Sequence, residues 1–239
     1  MVNKNRFMVF VFLCCAGTMT ISFITSCGKN AGTVSPATSH ILFQVVNLSP
    51  DLHPVNLYVG TYLQSNQPYS YPNPSGYFSI TNTNPPIQIR SAVSTESTVN
   101  ILSIDTLIMH PYFKYSLFIT GLKTDNTVTS FLTIDTAGPP PAGRGKLRFI
   151  NASPRSAGFD VMANDIKAFT NQTYKNVSKY ILLPPGTYDF KVTPAGQSTV
   201  ISTIPKFTIV DGKVYTMYCR GVANGADSVA FGTGIINNR

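Results

Sequence analysis

The chain contains no Trp, one Glu, three His and four Cys, and only 12% of its 239 residues are charged. Soluble domains usually carry about twice that share, ~25%. Each shortage excludes something. His40, His53 and His110 all precede residue 111, no two have metal-ligand spacing, and no Cys is placed to join them. Ser is abundant, yet no Gly-x-Ser-x-Gly elbow occurs. The single Glu, Glu96, lies in the polar run 94–98, which reads as a solvated loop. No catalytic constellation, metal site or cofactor motif emerges, so the chain is not expected to be an enzyme. Beyond the first 27 residues no segment sustains a 3.6-residue apolar period, which excludes an architecture built on long helices.

What is present begins with an address. Lys4 and Arg6 form a basic start, Phe7 to Ala16 is an unbroken apolar run, and a milder stretch ends in Ile24-Thr25-Ser26-Cys27. That order is characteristic of a secretory signal. Its last four residues resemble the lipobox of bacterial lipoproteins, a branched apolar residue and two small residues before Cys. The resemblance implies cleavage before Cys27, a diacylglycerol on its thiol and an acylated amine. Several acyl chains on one residue give near-permanent membrane residence, at about 0.8 kcal/mol per buried CH₂. The competing reading is an uncleaved span, because residues 7–26 lack charge and are about long enough to cross a bilayer. Gly17 to Thr20 and Ser22 dilute that stretch and weigh against a span. Cys14 and Cys15 fall within the signal, so Cys219 is left alone and no internal disulfide is expected. Residues 28–39 read as a tether with a reach of ~20 Å. Gly28-Lys29-Asn30 carries no acidic cluster, which favours the periplasmic face of an outer membrane over the cell surface.

The remainder is one module written twice. Asn47-Leu48-Ser49-Pro50 recurs as Asn151-Ala152-Ser153-Pro154, Ile87 to Arg90 as Tyr188 to Lys191, and Tyr115 to Phe118 as Tyr215 to Tyr218. The offsets fall in order from 104 to 100, as a few short deletions would produce; Phe131 and Thr133 then align with Phe231 and Thr233. Residues 41–135 and 147–239 are therefore expected to be two domains, with 136–146 a Pro/Gly linker acting as a semi-rigid spacer. Seventeen Gly, 17 Pro and runs such as Tyr188 to Thr193, which alternates apolar and polar, indicate short strands and turns. Phe207 to Tyr215 reads as a hairpin closed by Asp211-Gly212. About seven strands in ~90 residues predict an all-β fold of two tandem immunoglobulin-like antiparallel sandwiches.

The repeat assigns side chains to faces. Tyr115, Leu117 and Ile119 should face a core, as should Tyr215, Met217 and Cys219, which makes Cys219 a buried, inert thiol. Phe118 and Tyr218 fall on the opposite face, as surface aromatics covered by a loop or contributing to a binding patch. Asp160 and Asp189 read as outward positions on a solvated face. The doubled Asn-x-Ser-Pro reads as a structural turn, with ligand contact the second option.

Phe149 to Pro154, Phe159-Asp160-Val161, Leu183 to Tyr188 and Gly212 to Thr216 resemble domain-of-unknown-function family 4397. That family implies tandem β-sandwiches on secreted or lipid-anchored bacterial proteins, of the kind common in bacteroidete envelopes, with no assigned activity. Copy one departs from the pattern at Leu48 and at Asn84-Pro85-Pro86-Ile87.

Charge gives one functional hint. Residues 30–140 hold three Lys/Arg against five Asp/Glu, and residues 141–239 hold twelve against five. A basic second module suits anionic partners such as lipid headgroups or anionic glycans. Export argues against nucleic acid. The expectation is a lipid-anchored envelope protein acting by binding or structural interaction with other envelope proteins. A glycan-binding or adhesin-like surface lipoprotein is the alternative, and without Trp its sugar platform would fall to Tyr and Phe.

Overall fold

The computed structural model describes residues 41–239 apart from 66, 81–84, 94 and 96–99. The signal and tether, with lipobox residues Ile24, Thr25 and Ser26 and the lipid-attachment residue Cys27, lie outside the described residues, as do His40 and Glu96.

The described residues form sixteen strands, eight per module. Module 1 contains β1 (Ile41–Asn47), β2 (Val55–Val59), β3 (Tyr62–Leu63), β4 (Phe78–Ile80), β5 (Ile87–Ser91), β6 (Asn100–Ile104), β7 (Lys114–Thr120) and β8 (Thr129–Ile134). Module 2 repeats them as β9 (Gly145–Asn151), β10 (Phe159–Ala163), β11 (Ile166–Gln172), β12 (Ile181–Leu183), β13 (Gly186–Pro194), β14 (Ser202–Ile209), β15 (Val214–Arg220) and β16 (Gly232–Asn237). In module 1 one sheet has the order β4-β1-β7-β8 and the other β3-β2-β5-β6; module 2 has β12-β9-β15-β16 and β11-β10-β13-β14. The topologies are identical, so the repeat extends to every strand. All pairings are antiparallel except β1 with β7 and β9 with β15, one parallel pair in each sandwich.

Alternation sets the cores. Leu57, Ile89, Tyr115 and Leu117 bury one face of their sheets in module 1, and Val161, Phe190, Val192 and Met217 do so in module 2. Cys219 lies wholly inside the second core, in the register position that Ile119 holds in the first. The doubled Asn-x-Ser fastens the end of β1 to the end of β7. Asn47 Oδ1 accepts the Ser49 N–H at 3.2 Å, and the Ser49 hydroxyl donates to the Gly121 carbonyl at 2.9 Å. Asn151, Ser153 and Gly221 repeat this at 3.0 and 2.6 Å.

Three local expectations are corrected. Asp211-Gly212 does not close a hairpin: β14 pairs with β13, whereas β15 pairs with β9 and β16, so the turn carries the chain from one sheet to the other. Asp-Gly chemistry fixes a tight turn but does not choose a strand's partner. The offsets do not fall in order: Ile87 pairs with Val59 as Phe190 pairs with Ala163, so β5 aligns with Phe190 onward and not with Tyr188, at an offset of 103, and the last strands return to 103, because Phe118 pairs with Phe131 and Tyr218 with Gly234. Residues 221–231 form a loop three residues longer than 121–128 and contain a short 3₁₀ turn, Asp227–Val229, so Phe231 sits beside Phe159 in the second core. Gly145 and Lys146, expected in the linker, are the first residues of β9.

The main correction concerns Phe118 and Tyr218. They are not surface aromatics: Phe118 is fully buried and Tyr218 is 5% exposed. Each projects from the side of its sheet turned away from its own core, and the two meet at a ring distance of 6.5 Å. Val46, Leu48, Ile150, Ala152 and Ile236 complete a third hydrophobic cluster around them. The two sheets containing β7 and β15 thus pack on each other, giving four layers with the β7 and β15 sheets inside and the β2 and β10 sheets outside. The Pro-rich linker holds no gap open, and the described residues belong to one compact unit. This explains the near-complete burial of β7 and β15: both faces of each strand are covered.

Candidate functional site

Two places gather chemistry, and neither is where the sequence directs attention. The first is the seam between the inner sheets. Gln44 on β1 occupies the register position of Arg148 on β9, Ser116 that of Thr216, and Asp135, after β8, that of Asn238, after β16. All six are buried. Arg148 pairs with Asp135 across the seam and also donates to the Thr216 hydroxyl at 2.9 Å and to the Ile134 carbonyl at 3.2 Å. Asp135 further accepts from Ser116, from Thr133 at 2.8 Å and from Tyr77 at 2.7 Å. Tyr77 in turn accepts from Asn238 at 2.8 Å. Burial, reinforced by the Asp135 charge, pushes the Tyr77 phenol well above its ordinary range and keeps it protonated as a donor. Arg148 also lies over the Tyr180 ring, 5.1 Å from its centre.

The seam is built like a two-fold interface. Tyr77 reaches Asn238, and its equivalent Tyr180 feels the charge of Asp135, the equivalent of Asn238. Among these six buried residues one position in each module departs from the neutral pattern: Arg replaces Gln in module 2, and Asp replaces Asn in module 1. Those two changes make the buried ion pair. A cleft of about 260 Å³ opens beside it, lined by Tyr112, Lys114, Val214 and Arg239 among others. With its carboxylate saturated by four donors, Asp135 is an anchor for the seam and not a reacting group.

The second place is a groove of about 480 Å³ on the outer face of the sheet containing β10 and β13. Asp160 and Met162 from β10, Lys191 and Thr193 from β13, and Gln197, Ser198 and Val200 from the loop after β13 line it, with Asp165 and Lys167 from the β10–β11 hairpin. Asp160, expected on a solvated face, is 2% exposed. Its carboxylate accepts from Lys167 Nζ at 2.8 Å and from the N–H groups of Asn171 at 2.8 Å and Gly196 at 3.2 Å. Burial alone would raise its pKa; those three donors outweigh burial and hold the carboxyl below the usual range. Lys191 pairs with the exposed Asp165 at 2.7 Å. Asp189, by contrast, is exposed, as the alternation predicts. The groove thus offers two neutralised lysines, amide and hydroxyl groups and an apolar strip of Met162 and Val200. It is equipped for hydrogen bonding and ion pairing with a ligand. No nucleophile and base stand together in it.

These residues escaped sequence reasoning because the donors that fix Asp160 lie seven, eleven and thirty-six positions further on. One signal existed: Asn56 holds the same place in module 1 and accepts from the Ser65 hydroxyl at 3.2 Å, so the position is polar in both copies. A face merely solvated has no need of that.

With two superposable sandwiches established, the comparison with known families becomes informative. The profile of DUF4397, a domain of unknown function, matches residues 42–157 and again 145–233. The chain belongs to that family. No curated protein matches it. Among solved structures, a streptococcal virulence factor studied for alpha-glucan binding is 13% identical, with 74% of this chain and 91% of that chain covered. Its TM-score of 0.25 is too low to transfer either fold or ligand. The two DUF4397 modules of this chain share topology, the Asn-x-Ser fastening and the seam.

Proposed function

We propose that this chain is a lipid-anchored protein of the bacterial envelope that acts by non-covalent binding and catalyses no reaction, held by Cys27 on the periplasmic face of the outer membrane. The groove on the outer sheet of module 2 supports the binding half of this reading. Its charged groups are already paired, so it suits an extended, polar segment of another envelope protein better than a bare anion. The anchor half rests on the basic start, apolar run and lipobox-like ending of residues 4–27. A glycan ligand is supported less well, because none of the nine residues lining the groove is aromatic.

Two measurements test the halves separately. Cells expressing wild type or C27A are fed an alkyne fatty acid and fractionated; label and membrane residence should be lost together in the variant. A photo-crosslinking residue placed at Gln197 in the groove should give a discrete adduct in the envelope, and one at Ser103 on the outer sheet of module 1 should not. Equal adducts at both positions, or none at either, would refute the groove as the binding surface.

A further inference from the structure

The strands of the two inner sheets share a polarity. β1 runs parallel to β7, and β9 to β15. Across the seam, Lys114 at the start of β7 donates to the Asn238 carbonyl beside the start of β15 at 2.9 Å. At the other extreme Thr120, ending β7, donates to the carbonyl of Ala152, just past β9, at 2.6 Å. All four strands therefore begin at one end of the stack. That end is also where the chain from Cys27 joins the folded unit, at Ile41, next to a hydrogen bond of 3.1 Å from the Leu42 N–H to the Phe113 carbonyl.

Exposed apolar side chains are concentrated there. Among the described residues ten large apolar side chains are exposed, and the strand registers place nine of them at this end. Module 1 supplies Tyr62 and Leu63 from the β2–β3 hairpin, whose base pairs with the start of β5. The β6–β7 loop adds Ile108, 80% exposed, Tyr112, 72% exposed, and Phe113. Ile134 ends β8 opposite Tyr115, near the start of β7. Module 2 supplies Ile166 beyond the β10 turn, Leu182 opposite Lys146, and Val210 in the turn before β15. Only Val200, in the β13–β14 loop, stands at the opposite end.

Such a distribution is not what scattered surface residues produce; single exposed apolar side chains need no explanation, but their segregation to one pole does. The β6–β7 loop sharpens the point. It spans residues 105–113, whereas in module 2 the equivalents of 105–109, residues 205–209, continue β14 and leave a loop of only 210–213, so module 1 frees a longer stretch from the sheet there, and that stretch contains Ile108 and Tyr112. Fourteen positions separate Cys27 from Ile41, a short connection, so a lipid on Cys27 keeps this pole near the bilayer. Tyr and Phe are suited to the boundary between water and lipid.

We propose that this pole, with the β6–β7 loop at its tip, rests against the bilayer that holds the anchor, its apolar side chains entering the headgroup boundary and fixing the orientation of the stack. The proposal rests on the anchor reading above. It makes the lipid one of two attachments, and it turns the opposite loops away from the membrane.

The absence of native Trp makes a direct test possible. The full chain carrying Y112W, purified with its lipid and reconstituted into phosphatidylethanolamine–phosphatidylglycerol vesicles, contains one indole. Its emission should shift to the blue, and brominated acyl chains should reduce it about twofold or more, as for a side chain seated 5–10 Å into the interface. V200W, at the far pole, should show neither change, and I108W repeats the test should Y112W fold poorly. Fatty-acid label is read on the same samples. Labelled protein with an unquenched indole at both loop positions overturns the proposal and leaves the anchor intact. Unlabelled wild-type protein overturns the anchor itself. A blue shift that depends on protein concentration and ignores brominated lipid assigns the pole to a second copy, and also overturns the proposal.

Discussion

Replacing Asp135 by Asn removes one charge from the seam and leaves its shape. Arg148 then keeps the Thr216 hydroxyl and the Ile134 carbonyl but loses its counter-charge while 3% exposed. Breaking a buried ion pair from one side costs about 3–5 kcal/mol, because the remaining charge is stranded out of water. R148Q strands Asp135 less severely, since Ser116, Thr133 and Tyr77 still donate to it, and about 2 kcal/mol is expected. The double variant gives each module the neutral residue its twin already holds, Gln44 or Asn238, and should cost under about 1 kcal/mol. The coupling between the two sites is thus about 4–6 kcal/mol, far beyond the ~0.5 kcal/mol scatter of independent sites. Urea unfolding followed by circular dichroism measures it. With a slope near 2 kcal/mol per molar, D135N should unfold about 1.5–2.5 M earlier than wild type, and the double variant within about 0.5 M of it. Because the pair is buried, 0.5 M salt should leave the coupling nearly unchanged. Additive single and double effects would refute the account of the seam as one charge-balanced network.

Three further outcomes are expected. Burial pushes the Cys219 thiol up to about 12, so a thiol reagent at pH 8 should modify it only in denaturant; rapid labelling of the native chain would contradict its place in the core. Asp160 titrates below 3.8 when folded, so its contribution is complete above pH 3.8 and disappears as pH falls below that value. D160N should lose about 1–3 kcal/mol at pH 7 and show a flatter acid limb, whereas an unchanged acid limb would mean its three donors do not favour the ionised form. Finally, Gly221 has φ +68°, and a Cβ there would clash with the Ala230 carbonyl oxygen. G221A should cost at least about 2 kcal/mol, and G121A, against Thr127, a similar amount; thermal melts of both variants provide the check.

The sequence was legible wherever two copies could be compared. The repeat, the all-β character, the core face of β7 and the burial of Cys219 all followed from alternation read twice. The seam did not, and the reason is physical. Its face of β7 reads Ser116, Phe118, Thr120, the mixture of a solvated surface, because its polar groups satisfy one another across the seam. Period-2 alternation tells one face from the other but not whether the second face meets water or a second sheet. Asp211-Gly212 failed similarly: turn chemistry is local, and the partner of β15 is settled by β9, more than sixty residues away. The groove around Asp160 depends on loops whose positions only the folded sheets define, and the lipobox residues lie where the structure offers no test.

The two-fold character of the seam bears on how such a protein can diversify. In a homodimer every substitution near the axis appears twice, so an Arg facing an Asp would arrive with a second Arg and a second Asp, and like charges would meet as often as opposite ones. Joining both copies in one polypeptide lifts that restriction: one change on each side, at Arg148 and Asp135, gives a matched pair and no mismatched one. The pair also acts as a key. Two first modules from neighbouring chains would bring acid to acid, and two second modules base to base, so exchange of modules between molecules is penalised while the pairing within each chain is favoured.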